Sequence, residues 1–329
     1  MTAAAGVVQP SPTPQSTAAE LISVVICTRN RADLLKAALL SVIRQDFPQA
    51  EYEILVVDNA SQDHTADVVA GLLDSAPIRY LREERVGLCV ARNTGWKAAR
   101  GRIIAFFDDD ALARPGWLRA IRESFADDTS GPIGVIGGPA HAIWQAPRPP
   151  WLADTVASCL TIIDWGPSRK LIPDPDREWL VGANMAVSRN ALEEVGGFHP
   201  WLDRIEDKLL SSGDVFLQKA ILRRGYRTLY VPEMAIDHLV PASRLRQEWF
   251  LQRFYWQGVS DAVMHLIELS PSPAGRLRAA IRRAGTLIRN RRRMKSLLST
   301  STNPDLFALK CMAALDLGFI LGLLGAARR

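Results

Sequence analysis

Residues 102 to 114 read RIIAFFDDDALAR, an apolar run that stops abruptly at three consecutive carboxylates. The stretch 103–107 suits a strand buried on both faces of a parallel sheet. Asp108, Asp109 and Asp110 then lie at its carboxyl end, where ligands bind in open α/β sheets. Like charges crowded at a partly buried position repel and resist desolvation, so they require a divalent cation or raised pKa values. Oxygen-rich sites of this kind suit Mg²⁺ or Mn²⁺, ions that commonly also hold substrate phosphates. An acidic turn facing solvent is the plain alternative. A second apolar run, EILVVD at 53–58, also ends in a carboxylate, Asp58. Carboxylates at adjacent strand ends can grip a nucleotide, one at the base or ribose and the other at metal-bound phosphates. Neither the G-x-G-x-x-G nor the G-x-x-x-x-G-K-[ST] loop occurs, which argues against a dinucleotide oxidoreductase and a P-loop phosphotransferase.

The elements that must position these groups alternate along the chain. LISVVICT (21–28) reads as a buried strand, RADLLKAALLSVIRQ (31–45) as an amphipathic helix and EILVVD as the next strand. HTADVVAGLLDSA (64–76) predicts a helix, IRYLRE (78–83) a short strand, and GLCVARNTGWKAAR (87–100) a helix leading into the Asp-terminated strand. A parallel, doubly wound α/β arrangement follows. After residue 115 the elements are shorter and richer in Trp and Pro. IGVIGGPAHAIW (133–144) predicts a strand, PRPPWL (147–152) a rigid loop, WLVGANMAVSR (179–189) a strand and turn, and YRTLYVP (226–232) a strand. SSGDVFLQKAILRRG (211–225) predicts an amphipathic helix whose start carries Ser211, Ser212 and Asp214, a first-turn carboxylate favoured by the helix dipole.

Composition narrows the class further. A chain of 329 residues with 48% hydrophobic content is globular, and its four cysteines form no CxxC pair, so neither a zinc knuckle nor a disulfide framework is expected. A reducing cytoplasm fits. Residues 1–20 lack the basic start and sustained apolar stretch of a secretory signal, and their Ala, Pro, Ser and Thr content predicts a disordered tail. The net charge of +5 is uneven: from residue 270 onward twelve Arg or Lys face Asp305 and Asp316, a balance of +10 that leaves −5 for the remainder. Basicity confined to one end does not mark the folded body as a nucleic-acid binder.

Four blocks, CTRNRADLL (27–35), VVDNASQDHT (56–65), GLCVARNTGWKAARG (87–101) and FFDDDA (106–111), in that order and spacing, resemble the family 2 glycosyltransferases. The resemblance covers roughly residues 21 to 245. It implies the GT-A fold, a Rossmann-like, mixed, mostly parallel sheet flanked by helices, here followed by a C-terminal helical extension. It also implies that Thr28, Arg29 and Asp58 hold the nucleoside and that Arg92 and Asn93 lie near the nucleotide. Asp108 and Asp110 take the D-x-D positions with Asp109 between them, binding the ribose and the metal-bridged diphosphate of a nucleotide-sugar. His238, in YVPEMAIDHLVP, matches a histidine near the metal and diphosphate, so Asp110 and His238 are the expected ligands of Mg²⁺ or Mn²⁺.

The same resemblance assigns the acceptor side. VGANMAVSRNALEEVGGFHP (181–200) is similar to the family's G-x-N-x-x-x-R…G-G-F segment, which marks Gly182 and Asn184 beside the donor and acceptor sugars. Asp214 takes the position of the Asp that deprotonates the acceptor hydroxyl, with Gly213 in place of the usual Glu. Of the Trp residues in this half, Trp179 is singled out for stacking on a sugar ring.

The expected organisation is a tail at 1–20, a catalytic domain at 21–265 divided into a nucleotide-sugar half (21–115) and an acceptor half (116–265), and a basic and apolar helical extension at 266–329. Within the extension, 276–295 is basic and amphipathic, and 306–327 is apolar over a spanning length but interrupted by Lys310 and Asp316. Two placements compete: an interfacial helix at an anionic cytoplasmic leaflet, which gives peripheral membrane contact, and a helical hairpin packed against the catalytic domain or a partner. The expected activity is inverting, metal-dependent transfer from a nucleotide-diphosphate sugar, most often a UDP-sugar in the family. The acceptor is a glycan or lipid-linked hydroxyl in envelope or polysaccharide synthesis. The enzyme would be cytoplasmic, at the membrane face if it touches one. A nucleotidyltransferase releasing pyrophosphate and a non-catalytic scaffold of the same fold are the alternatives.

Overall fold

The computed structural model describes residues 21–126, 131–202, 208–299 and 302–325; the tail at 1–20 that the sequence predicts to be disordered lies outside them. The amino-terminal half runs β1 (Ile22–Thr28), α1 (Ala32–Ile43), β2 (Tyr52–Asp58), α2 (Thr65–Ala70), β3 (Ile78–Arg82), α3 (Leu88–Ala98), β4 (Ile103–Asp108), β5 (Ala111–Ala113) and α4 (Trp117–Ala126). The second half adds β6 (Ile133–Gly137), β7 (Ala140–Trp144), α5 (Asp154–Ala157), β8 (Lys170–Leu171), β9 (Asn184–Ser188), α6 (Arg189–Val195), α7 (Gly213–Leu222), β10 (Arg227–Tyr230) and β11 (Ile236–Val240). Four helices follow: α8 (Gln247–Leu269), α9 (Pro273–Arg289), α10 (Arg291–Leu297) and α11 (Pro304–Leu323).

Eight strands form one sheet in the order β3-β2-β1-β4-β9-β6-β10-β8. β1 pairs in parallel with β2 and β4, and β2 with β3, so the expected doubly wound half is present. β1, β2 and β4 are buried on both faces, which is why they read as continuous apolar runs, whereas the edge strand β3 is partly exposed. The register aligns the carboxyl ends: Thr28 lies opposite Asp58, and Cys27 opposite Asp108. β9 inserts antiparallel between β4 and β6, making the sheet mixed.

Two expectations are corrected in detail. The single strand expected over 133–144 is two strands in different sheets. Gly138 permits the break, because a Cβ there would strike the Met234 and Val231 carbonyls, and β7 joins β11 and β5 in a separate three-stranded sheet. The helix expected over 64–76 ends at Ala70, where Gly71 caps it, and a 3₁₀ turn spans Leu73–Ser75.

The terminal helices begin on sequence-encoded caps. Ser272 accepts from Gly275 N–H ahead of Pro273, and Asn303 accepts from Asp305 and Leu306 N–H ahead of Pro304. α8 is continuous through residues 265 and 266 and packs along α11 with its backbone in close approach. A Cβ on Gly258 would fall on the Leu315 carbonyl, and one on Gly318 on the Tyr255 carbonyl. Among the described residues α11 is the one helix long and apolar enough to cross a membrane. Its Asp316 is buried, however, and accepts from Arg283 Nε at 2.6 Å and Arg293 Nη1 at 2.9 Å. These contacts pack α11 on the protein, as in the hairpin placement.

Candidate active site

A cavity of about 1070 Å³ opens at the carboxyl ends of β1 and β4 and extends to α7, α8 and α11. The strand register brings Thr28, Arg29, Asp108, Asp109 and Asp110 to one end of it, and Trp179, Gly182 and Asp214 reach it from the second half, with Arg92 and His238 between them. Ten sequence-predicted residues therefore share one wall system.

The three aspartates have different partners. Asp108 accepts from Arg92 Nη2 at 2.9 Å. Asp109 accepts from Thr28 Oγ1 at 2.7 Å and Arg31 Nη1 at 2.9 Å. Asp110 accepts from Arg31 Nη1 at 3.0 Å and lies 3.2 Å from His238 Nε2, because β5 pairs with β11 and places Ala111 opposite His238. The Leu239 N–H donates to the Asp110 carbonyl at 2.9 Å and fixes that register. Burial, reinforced by Asp110 and Asp108, pushes Asp109 up to about 6 even with Arg31 and Thr28 beside it. Burial also acts to raise Asp110, but the His238 imidazole, Arg31 and Arg244 outweigh it and hold this carboxyl well below the usual carboxylate range.

Asp108, Asp110 and His238 each offer a ligand atom, all within 4.8 Å of one another. His238 is buried and its Nδ1 has no hydrogen-bond partner among the described residues. Two carboxylate oxygens and an imidazole nitrogen, beside a third acidic group, make a donor set that fits Mg²⁺ or Mn²⁺.

The acceptor-side residues interlock. The Gly182 N–H donates to Asp214 Oδ2 at 2.9 Å, and the Val215 N–H to Oδ1 at 2.9 Å. Gly182 must lack a side chain, since a Cβ would lie 2.6 Å from Arg92 Nη1. Arg92 is buried, with its guanidinium over the Phe198 ring at 5.3 Å. Gly213, where the family pattern has Glu, faces Cys89: a Cβ would sit 3.1 Å from its Sγ, a tighter contact than usual. Trp179 stands edge to face with Trp165 at 5.3 Å between centroids and keeps one edge in the cavity.

Asp58, Asn93 and Asn184 lie behind the cavity wall. Asp58 is buried and accepts from Ser61 N–H at 2.8 Å, the Tyr80 hydroxyl and Arg82 Nη1 at 3.2 Å; its neighbour Asn59 lines the cavity instead. Asn93 donates to the Phe198 carbonyl and accepts from the Phe198 N–H and Trp96 Nε1. Asn184 accepts from Trp117 Nε1 and donates to the Pro139 and Met234 carbonyls. Both asparagines tie separate segments together, Asn93 at the α3 to Phe198 junction and Asn184 at the joint between the two sheets.

Several cavity residues were not singled out from the sequence. Arg31 bridges Asp109 and Asp110, and its place within the resemblance block at 27–35 was the available signal. Arg244 Nη2 lies 3.9 Å from Asp110 Oδ2. Arg253 on α8 is enclosed, donates to Gln257 Oε1 at 3.1 Å, and has its pKa pulled down by burial. Burial pushes Asp261, one turn beyond Gln257, up to about 6. Nothing in the local pattern of 244–261 distinguishes these residues from ordinary helix charges.

Comparison with known proteins agrees with this geometry. The family model "Glycosyl transferase family 2" matches residues 23–196. A glucosyl-dolichyl phosphate glucuronosyltransferase of Haloferax volcanii is 24% identical over 75% of this chain and 78% of the relative. Glycosyltransferase AglE of the same organism is 27% identical over 81% and 87%. Among solved structures, a mannosyltransferase of Pyrobaculum calidifontis with GDP-Man and Mn²⁺ superposes with a TM-score of 0.55 at 22% identity, covering 97% of this chain and 79% of that one. GalNAc-T7 with UDP, GalNAc and Mn²⁺ gives 0.53 at 17% identity over 74% and 50%. The mixed sheet, the carboxylates at its strand ends and the match across more than half of the chain make this protein a member of glycosyltransferase family 2, with the GT-A fold.

Proposed function

We propose that this transferase moves a sugar, with inversion, from a nucleotide-diphosphate sugar to a hydroxyl of a glycan or lipid-linked acceptor at a membrane surface, in envelope or polysaccharide synthesis. The observation that carries the reading is the placement of Asp214 in the same cavity as the Asp108, Asp110 and His238 cluster, with its carboxylate fixed by two backbone N–H donors. Asp214 accepts the proton as the acceptor oxygen attacks the anomeric carbon. The bond from that carbon to the diphosphate oxygen breaks, and the nucleoside diphosphate leaves with the electron pair. Bound Mg²⁺ or Mn²⁺ would offset charge on the diphosphate, held by Asp110, His238 and Asp108. Arg92 pairs with Asp108 and packs against Gly182, whose N–H donates to Asp214, so the donor and acceptor halves are positioned against each other.

UDP-sugar is the proposed donor, on the family resemblance; GDP-Man in one structural neighbour keeps the guanine series under test. A lipid-linked acceptor has support from the acceptor end of the cavity. Arg253 brings a half-buried positive charge there, which suits a phosphate, and Met264, Met312, Leu315 and Phe319 add an apolar wall. One relative's name points the same way, a glucosyl-dolichyl phosphate glucuronosyltransferase.

The test is Mn²⁺-dependent release of free nucleoside diphosphate from UDP-, GDP- and dTDP-sugars, with Asp110→Ala and a chelator as controls. Release from one donor, abolished by both controls, supports the reading and names the sugar. Absence of both release and metal-dependent nucleotide binding overturns it, and release of pyrophosphate identifies a nucleotidyltransferase.

A further inference from the structure

The inner face of α9 is set by Ala279, Ala280, Arg283 and Leu287, which are buried or turned to Asp316 of α11. Its outer face carries Leu277, Ile281 and Ile288, which remain 51, 62 and 65% exposed. Spacings of four and seven residues align these three on one narrow stripe, because a helix repeats every ~3.6 residues. Arg278, Arg282 and Arg289 follow one position later on the helical wheel and form a cationic flank along the same side, all of them exposed. α10 continues the pattern with exposed Arg291 and Arg292, and Leu298 just beyond its end is 90% exposed. Scattered exposed aliphatics are ordinary, but an aligned stripe with a continuous row of guanidinium groups beside it is not.

We infer that the outer face of α9, extended by α10, seats on an anionic lipid surface, with Leu277, Ile281 and Ile288 in the headgroup boundary and the arginines on lipid phosphates. Charge complementarity selects this occupant: the segment from residue 270 onward carries +10 against −5 for the rest of the chain, so the face is drawn to an anionic leaflet. The membrane element is therefore α9 rather than the more hydropathic α11, whose Asp316 is bound to Arg283 and Arg293. His265 lines the active-site cavity and also the small hollow formed by Gly275, Arg278, Ala279 and Arg282, so the membrane-facing helix adjoins the acceptor end. The inference deepens the proposed lipid-linked acceptor, but its test reads binding without any sugar donor, so either can fail alone.

The full-length protein is sedimented with phosphatidylcholine vesicles with and without phosphatidylglycerol. Binding is expected to the anionic vesicles, to fall steeply with added salt, and to be about ten-fold weaker in a Leu277→Ser, Ile281→Ser, Ile288→Ser variant that keeps the wild-type melting temperature. An Arg278→Glu, Arg282→Glu variant is expected to lose binding to the same degree. Failure of wild type to sediment with anionic vesicles overturns the inference, as does equal binding by the serine variant. A wild-type dimer that the serine substitutions dissociate would assign the stripe to a second copy and equally overturn it.

Discussion

The Gly182 N–H and the Asp214 carboxylate are joined by a 2.9 Å hydrogen bond that links the strand-entry loop of β9 to the start of α7. The contact orients one carboxylate oxygen and leaves the group accessible from the cavity, as a proton acceptor requires. Asp214→Asn preserves size and one acceptor oxygen but not the basicity. We expect kcat to fall by about 10²–10⁴-fold with donor KM and melting temperature nearly unchanged. Steady-state kinetics would settle this, and a change confined to KM would remove Asp214 from the chemical step.

Gly182→Ala tests the interlock from the other side. The added Cβ meets the Arg92 guanidinium, which is buried against Phe198 and bound to Asp108, so the arginine must shift. The expected result is a loss of kcat/KM of about 10²-fold, since small misplacements at a reacting centre are costly. Arg92→Lys, which removes the planar fork but not the charge, should weaken donor binding more than it lowers melting temperature. Wild-type kinetics for both variants would count against the coupling.

Asp110→Asn removes one charge from the cluster while keeping its shape. The Mn²⁺ concentration for half-maximal activity should rise at least ~10-fold, and excess chelator should abolish wild-type activity. Titration of activity with Mn²⁺ gives the answer, and an unchanged midpoint would exclude Asp110 as a ligand.

Asp261 makes stability depend on pH in a definite direction. Burial raises its pKa to about 6 in the folded protein, so folding favours the protonated form. The contribution is full below the unfolded carboxylate pKa, about 4, and is lost as pH rises through about 6. Asp261→Asn keeps an acceptor for Gln257 and carries no charge at any pH. Its melting temperature relative to wild type should therefore rise by several degrees between pH 4.5 and pH 7.5. Thermal melts across that range test the sign, and a flat difference refutes it.

Gly318→Leu should separate the terminal helix pair. The side chain would start on the Tyr255 carbonyl, where α8 and α11 touch through backbone, and forced separation of packed helices costs about 1–3 kcal/mol. The expected drop in melting temperature is several degrees, while Leu317→Ala on the exposed side of the same helix should change little.

Local pattern made the first half legible. β1, β2 and β4 are apolar on both faces, so their carboxyl ends, and with them Thr28 and the Asp triplet, follow from the run lengths alone. The antiparallel insertion of β9 and the split at Gly138 depend on which distant strand each segment meets, and no local period encodes that. Family resemblance located Asn184 and Asn93 along the chain but not the direction of their side chains, which bond to Trp117, Pro139, Met234 and Phe198 behind the cavity. Arg253 reaches the site because α8 lines the cavity at the carboxyl ends of the sheet while packing on α11 more than fifty residues later, and Arg244 reaches it from the turn after β11.

The paired charges on Asp316 limit how far this protein can commit to a bilayer. Drawing α11 into hydrocarbon would either strand a carboxylate or carry two guanidinium groups with it, and both are strongly unfavourable. Attachment through α9, as inferred above, would be shallow, so the enzyme would exchange between lipid surface and solution, with its residence set by surface charge density and salt rather than by permanent insertion.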